Sequence, residues 1–153
     1  LASVWGPSHG ETSSGFFYLG LFAFCITSGD RRRNSRMVTK NFKLRSDQIA
    51  SLVVSTGWCM ASDRVVVDGS PIGYMYRQKP VSGGDSGWRF LAGDEDEAYM
   101  ARNENHGVYD LNTVVNYDPS VIPFLDAPPG SRFDKVAGNT YEALEPWPED
   151  EGQ

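Results

Sequence analysis

The sequence predicts a small α+β domain with a mainly antiparallel sheet and short helices packed on it. Short runs of β-branched and aromatic residues alternate with short helical patterns, and Gly, Pro and Asp separate them. At 153 residues with 40% hydrophobic side chains, the chain can bury one core but not two of ordinary size. The aromatic residues concentrated between Trp58 and Phe133 are expected to form that core.

The chain is predicted to have three parts: a leader at residues 1–36, a domain at 37–140, and an acidic, Pro-containing tail at 141–153 that is expected to be disordered. The leader contains an apolar run at residues 15–26, which is shorter than the roughly 20 residues needed to span a bilayer. Because the arginines follow that run instead of preceding it, the leader does not fit a secretory signal. We interpret it as translated upstream sequence, with Met37 as the natural start.

The first half of the domain is predicted to contain one helix and one hairpin. Ser46 is a candidate N-cap, and the apolar residues that follow it fall on one helical face. Residues 58–67 are rich in β-branched and apolar side chains, and in residues 72–77 one face of the strand carries Ile72, Tyr74 and Tyr76. The dipeptide Asp68-Gly69 between them is a strong turn signal. A β-hairpin around Asp68-Gly69 is therefore expected.

The second half is predicted to alternate short strands and short helices. Residues 78–87, with Pro80 and three glycines, indicate a loop before a strand at 88–91. The later elements are expected to be a helix at 94–102, a strand at 108–109, a helix at 110–117, a helix start at Asp118-Pro119, and a final strand around Phe133.

The charge of the chain favours a protein partner. The net charge is −6, and residues 1–36, with four Arg against two acids, contribute +2, which leaves −8 on the remainder. An acidic body repels phosphate backbones, so we expect no nucleic acid and a partner that is a protein, particularly a basic one. Cys25 and Cys59 are the only cysteines and do not form a disulfide framework. We expect a cytoplasmic protein without membrane association.

One tetrapeptide invites a catalytic interpretation. Gly84-Asp85-Ser86-Gly87 matches the surroundings of the nucleophile in trypsin-like proteases. That mechanism needs a His hydrogen-bonded to the Ser and oriented by a carboxylate, whereas this chain has only His9 and His106 and is too short for a double barrel. We interpret the tetrapeptide as a Gly-rich turn entering the next strand.

The most charged run of the chain consists of four consecutive acids, Asp94, Glu95, Asp96 and Glu97. Such a run could bind Mg²⁺ or Ca²⁺, but Ala98 and Tyr99 stand where a calcium loop has a ligand and a glycine. Phosphate-binding, dinucleotide-binding and zinc-protease motifs are absent from the sequence. We therefore predict a protein that is not an enzyme, with no metal, no cofactor and no catalytic residues.

Partner recognition explains the acidic run better than stability does. A helix start gains only about 0.3–1 kcal/mol from each well-placed acid, which accounts for one or two acids but not four. A basic partner would be attracted to the surplus, with support from nearby aromatic side chains. The predicted partner-binding residues are Asp94, Glu95, Asp96, Glu97, Trp88 and Tyr109.

Four ordered motifs resemble a known family. They are Gly73-Tyr74-Met75-Tyr76-Arg77, Asp85-Ser86-Gly87-Trp88-Arg89-Phe90, Gly93-Asp94-Glu95-Asp96-Glu97, and Tyr109-Asp110-Leu111-Asn112-Thr113 with Asp118-Pro119 behind it. Together they are similar to the immunity protein 33 family of bacterial polymorphic toxin systems, over about residues 40–135. The resemblance implies a cytosolic protein that binds and neutralises a cognate toxin domain, and it transfers no catalytic residue. The alternatives are a carboxylate-dependent metal hydrolase and a housekeeping protein-interaction module.

Overall fold

The computed structural model describes residues 39–54 and 57–146 of the chain. By its internal contacts the chain separates into Leu1–Arg36 and Met37–Gln153, and every described residue belongs to the second unit. The predicted leader, and the tail beyond residue 146, lie outside the described residues. Within the described part, no helix is long and apolar enough to cross a membrane.

The described residues form six strands, three short α-helices and three 3₁₀ helices. The strands are β1 (Trp58–Ser62), β2 (Tyr74–Arg77), β3 (Asp85–Leu91), β4 (His106–Asp110), β5 (Arg132–Ala137) and β6 (Thr140–Leu144). The α-helices are α1 (Asp63–Val66), α2 (Glu97–Met100) and α3 (Leu111–Val115). The 3₁₀ helices are Ser46–Gln48, Asn103–Asn105 and Pro119–Phe124.

The six strands make one sheet in the order β4-β1-β3-β2-β5-β6. Only β1 and β3 run parallel, and the other four neighbouring pairs are antiparallel. This confirms the predicted α+β class with a mainly antiparallel sheet. A register shift between β1 and β3 coincides with Gly87, whose φ is +80° and where a Cβ would lie 2.2 Å from the carbonyl oxygen of Gln78. The second glycine of the protease-like tetrapeptide is thus required by the backbone.

The predicted hairpin around Asp68-Gly69 is wrong. The chain leaves the sheet at Ser62 and turns into α1, whose end is closed by the amides of Val67 and Asp68, both donating to the carbonyl of Asp63. Strand β3 then inserts between β1 and β2, so those two strands never pair. Residues 65–67 have the β-branched composition of a strand, but Val65 and Val66 are buried from a helical turn. Non-local pairing with β3 overrides the local turn signal.

Other elements also differ from the prediction. The helix expected after Ser46 is a single 3₁₀ turn, Ser46–Gln48, because the side chains of Asn112 in α3 and of Asn116, its C-cap, bind the backbone that follows the turn. Strand β6 was not predicted, and it extends the domain beyond residue 140. It forms the outer edge of the sheet, where its exposed Glu142 suits a solvent-facing strand.

The main core lies between one face of the sheet and the helical segments. Trp88 and Phe90 of β3 stack with ring centroids 5.8 Å apart, and Phe133 of β5 lies 6.3 Å from Trp88. The largest fully buried side chains are Trp88, Phe90, Ile72, Met75, Val65, Val66, Val114, Val115, Val121 and Cys59. A smaller cluster of Tyr74, Tyr76 and Leu91 packs separately, with Met100 and Leu144 against it. Of the aromatic residues predicted to form the core, Tyr74, Tyr76, Trp88 and Phe90 are buried and the others are partly buried.

One buried and one partly buried ion pair stabilise the sheet. Arg89 donates from both terminal nitrogens to Asp85, at 3.0 and 2.9 Å, with both side chains nearly inaccessible. The second pair belongs to a group of four side chains, Asp118, Ser120, Lys135 and Tyr141, which we call the Asp118 cluster. Asp118 accepts from Lys135 Nζ at 2.8 Å, from the Ile72 amide at 3.0 Å, and from Ser120. The Tyr141 hydroxyl donates to the Ile72 carbonyl at 2.6 Å. This cluster joins β5 and β6 to the segment that leads into β2.

Candidate partner-binding surface

The four consecutive acids form a turn between β3 and α2, which we call the acidic turn (residues 94–97). Asp94, Asp96 and Glu97 are exposed, whereas Glu95 is only 3% exposed. The four carboxylates have different contacts, and they are not gathered into one site. Among residues 39–54 and 57–146, no group of three or more His, Cys, Asp or Glu side chains is placed to hold a metal ion.

Glu95 is the anchor of the turn. Its carboxylate accepts hydrogen bonds from the amides of Ala92 and Gly93, at 2.8 and 2.7 Å, and from the hydroxyl of Ser62 at the end of β1. A buried carboxylate needs such donors because burial without them is strongly unfavourable. Glu95 is therefore not available to a partner, which corrects its place among the predicted partner-binding residues.

The other three acids have local roles of different strength. Asp96 is the N-cap of α2 and accepts from the Tyr99 amide at 2.7 Å. Asp94 lies 3.6 Å from Arg64. Exposed ion pairs of this kind contribute little to the free energy of unfolding. Glu97 occupies the first turn of α2 with its side chain in solvent. The helix predicted at 94–102 is thus observed as Glu97–Met100, three residues shorter at its start and two at its end.

Trp88 has no surface to offer a partner. It is fully buried, and its indole nitrogen donates to the Leu125 carbonyl at 3.1 Å. Arg77 covers its ring from 5.8 Å. Replacing such a side chain by Ala typically destabilises a protein by about 3–5 kcal/mol, so Trp88 is a core residue and not the predicted interface residue.

Tyr109 is half-buried, next to an aromatic residue that the sequence did not single out. The Phe42 ring meets it edge-on with centroids 5.8 Å apart and is itself 47% exposed. Burial raises the pKa of Tyr109 to about 12, so its hydroxyl stays protonated at neutral pH. Phe42 lies in a segment without strand or helix periodicity, and only the tertiary contact identifies it.

A set of contacts connects Tyr109's strand with the acidic turn. Lys40 pairs with Asp63 at 2.6 Å and donates to the His106 carbonyl at 3.1 Å, which ties the N-terminal segment to β4. Arg64 lies 5.5 Å over the ring of Tyr99, next to its pairing with Asp94. The acidic turn, α1 and the start of β4 at His106 thus form one continuous region. We call this region the acidic end of the sheet.

The residues of the protease-like tetrapeptide are used structurally. The Ser86 hydroxyl donates to the Trp58 carbonyl at 2.8 Å, and Asp85 is held by Arg89. The His106 ring lies against the Met100 carbonyl at 3.3 Å, and burial lowers its pKa. None of these contacts joins Ser86 to His106, so they do not assemble the relay that nucleophilic catalysis by Ser86 would need.

Comparison with known proteins identifies the family. The model of the immunity protein Imm33 domain matches residues 59–145, which is more than half of the chain and covers all six strands apart from the first residue of β1. No curated protein matches, and no solved structure matches. On the strength of the domain match, the chain belongs to the Imm33 family of immunity protein domains.

Proposed function

We propose that this protein binds a cognate bacterial toxin domain in the cytoplasm and neutralises it by covering its active site or substrate groove. The observation that carries the proposal is the family match over the whole sheet. An exposed set of carboxylates at one end of that sheet supports it. The proposal needs no catalytic step, because an inhibitor acts through the stability of its complex.

The proposed contact region is the acidic end of the sheet. It comprises the exposed acids Asp94, Asp96 and Glu97, with Tyr109 and its neighbour Phe42 as aromatic support. Half-exposed aromatic side chains on an ordered backbone bury large area at low entropic cost, which is why they are frequent in interfaces. Trp88 and Glu95 are omitted because both are buried.

Charge gives the region its expected partner chemistry. The chain carries a net charge of −6, and toxin domains that act on nucleic acids must present basic surfaces to the phosphate backbone. An acidic surface accelerates encounter with such a domain and competes with its substrate for the same cations. We therefore expect a basic toxin domain and an association rate that falls with salt.

The function is tested with the partner itself. Cross-linking and affinity purification of the full chain from its producing cells identifies the bound protein, and that protein is then expressed in a sensitive host with and without this chain. We expect the chain to restore growth and to form a stable complex with the purified toxin domain. If the chain relieves the growth arrest caused by none of the proteins found bound to it, the proposed function is overturned.

The contact region is tested with a charge reversal. The double substitution D94K/E97K removes no buried contact and leaves the cap residue Asp96 in place. We expect its association rate to fall roughly tenfold at low salt and its salt dependence to weaken. The matched control D134K/E142K makes the same charge change on two exposed acids of β5 and β6. An equal effect in both variants would show that only net charge matters and that the acidic end is not the interface.

A further inference from the structure

A groove opens on the molecule away from the acidic end. It encloses a cavity of about 180 Å³ between the segment at residues 50–54 and the helices α3 and Pro119–Phe124. Its lining is Val53, Val54, Leu111, Ile122, Leu125 and Asp126. A dry cavity of about 150 Å³ holds a benzene molecule, so this volume accommodates one large apolar side chain.

One wall of the groove is fixed by a pair of asparagines on α3. Asn112 accepts from the amides of Leu52 and Val53, at 2.8 and 3.1 Å, and Asn116 accepts from the Ala50 amide at 2.9 Å. Both side-chain amides also donate to the Ala50 carbonyl at 2.9 Å. Five hydrogen bonds therefore hold the segment at residues 50–53 in place. A wall that is ordered in advance lowers the entropic cost of binding.

The opposite wall is bound to the core, so the groove does not depend on a single mobile element. Leu111 is 2% exposed, and its amide donates to the Gly57 carbonyl at the start of β1. The Leu125 carbonyl accepts from the Trp88 indole nitrogen and from Arg77. Both walls of the groove are thus tied to ordered parts of the domain.

The rim of the groove combines exposed aliphatic surface with one carboxylate. Val54 is 89% exposed and Leu52 43% exposed, although neither contributes to a core. Asp126 is exposed at the edge of the cavity, and none of the described residues forms an ion pair with it. Five of the six lining side chains are aliphatic and the sixth is this carboxylate, so the groove is complementary to an apolar side chain that has a cation beside it.

We propose that this groove receives a large apolar side chain of a protein partner, Phe, Leu or Met, while an adjacent Lys or Arg of the same partner pairs with Asp126. The inference rests on the proposed function only in taking the partner to be a protein. The groove lies at the Gly57 end of β1, and the acidic turn is hydrogen-bonded to Ser62 at the other end. At roughly 3.3 Å per residue, β1 separates the two by a distance that one interface of standard size spans. In this arrangement the groove anchors the partner through an apolar side chain, and the acidic end accelerates the association of the two proteins.

The experiment uses short peptides of Gly and Ser that carry a single Phe next to a single Arg, with Ala-Arg and Phe-Asp versions as comparisons. Binding is followed on the full chain through the methyl NMR signals of Val53, Val54 and Ile122. We expect saturable shifts with the Phe-Arg peptide and at least about tenfold weaker affinity for each comparison peptide. The variant V54K/D126K, whose two sites are exposed, should lose the binding. The control V136K/E142K, with the same residue types at exposed positions on β5 and β6, should keep it.

Three outcomes would overturn the proposal: no saturable shift, equal affinity for the Phe-Asp peptide, or an equal loss in the control variant. Failure of the groove is distinguishable from failure of the proposed function. If the wild-type chain protects cells from the toxin and V54K/D126K protects them equally well, the groove is not an anchor and the function stands. If the wild-type chain gives no protection while the Phe-Arg peptide still binds as expected, the proposed function fails and the groove stands.

Discussion

The acidic turn and the Asp118 cluster place the same kind of side chain in opposite settings. Asp118 is nearly covered, and donors from three different elements or connecting segments surround its carboxylate. Asp94 and Glu97 face solvent, and the only ion pair formed by Asp94 within the described part of the chain is long. One carboxylate holds the fold together, and the others are available for a partner.

The difference shows that charge density along the sequence does not locate the carboxylates on which the fold depends. Asp85 and Asp118 stand alone in the sequence, yet Asp85 is paired with the buried Arg89 and Asp118 with the partly buried Lys135. The run at residues 94–97 has the highest charge density and only one structural anchor, Glu95. Isolated acids are held by partners from distant strands, whereas adjacent acids mostly diverge into solvent. The following predictions test this contrast, beginning with the largest effect.

The substitution D118A should destabilise the domain by about 3 kcal/mol, because it leaves the partly buried Lys135 ammonium unpaired. The Ile72 amide would also lose its acceptor. Chemical denaturation of both proteins measures the difference in the free energy of unfolding. The matched control D126A, at an exposed carboxylate of the same type, should change it by less than about 0.5 kcal/mol. A loss below about 1 kcal/mol for D118A would remove the structural role that we assign to this cluster.

Within the acidic turn, E95A should cost about 1–3 kcal/mol, because two amides and the Ser62 hydroxyl lose a buried acceptor. The neighbouring E97A, at an exposed side chain, should stay within about 0.5 kcal/mol. The two variants therefore separate the anchor from the solvent-facing acids inside a single run. Thermal unfolding of E95A, E97A and the wild type, followed by circular dichroism, measures this difference in stability. Equal stability of the two variants would contradict the division of roles within the turn.

Acid should destabilise the domain through the isolated carboxylates. Burial alone would raise the pKa of Asp118, but hydrogen bonds from Lys135, Ser120 and the Ile72 amide hold it below its usual range. Burial likewise acts against Asp85, whose pKa is lowered by Arg89 and two backbone amides. Because the unfolded chain binds these protons more readily, their contribution is present above about pH 4 and is lost as the pH falls through the lowered values.

The same cluster should fail at high pH for the opposite reason. Burial works against the Lys135 ammonium, but the hydrogen bond to Asp118 raises its pKa overall. Its contribution is present below the ordinary lysine pKa, about 10.4, and is lost as the pH rises through the raised value. Denaturant midpoints from pH 2 to 11 should therefore fall at both extremes, and D118N should flatten both flanks compared with the exposed control D126N. Identical profiles for D118N and the wild type would contradict this assignment.

Local sequence signals were reliable where one segment decides its own structure. Asp110 caps α3 by accepting from the Asn112 amide, and Asp118 precedes the helix that begins at Pro119, as their positions predict. The alternation of Trp88 and Phe90 located the second part of β3, but residues 85–87, predicted as the end of a Gly-rich loop, are the first residues of that strand. The hairpin prediction failed because the parallel β1–β3 pair requires a crossover that no turn signal encodes.

The candidate site shows the same limit of local inference. Three of the four acids in the run are exposed, as expected. The burial of Glu95 depends on Ser62, which lies 33 residues away in the sequence. Phe42 and the groove were not predicted at all, because each is created by contact between segments that carry no joint sequence pattern. A contact could be inferred from the sequence when its residues lie close together along the chain, whatever their type, and not when they lie far apart.

The smallest expected effect distinguishes capping from recognition at Asp96. Its carboxylate accepts from the Tyr99 amide, so D96A should cost typically about 1 kcal/mol, whereas Asn, which also caps helices well, should restore most of that loss. If Asp96 also contacts a basic partner, D96N should keep the stability but slow association, because Asn has the acceptor without the charge. Stopped-flow binding to the toxin domain, beside the melting temperatures of both variants, separates the two roles. An association rate that is unchanged in D96N would make Asp96 a cap only and would leave Asp94 and Glu97 as the acids that face the partner.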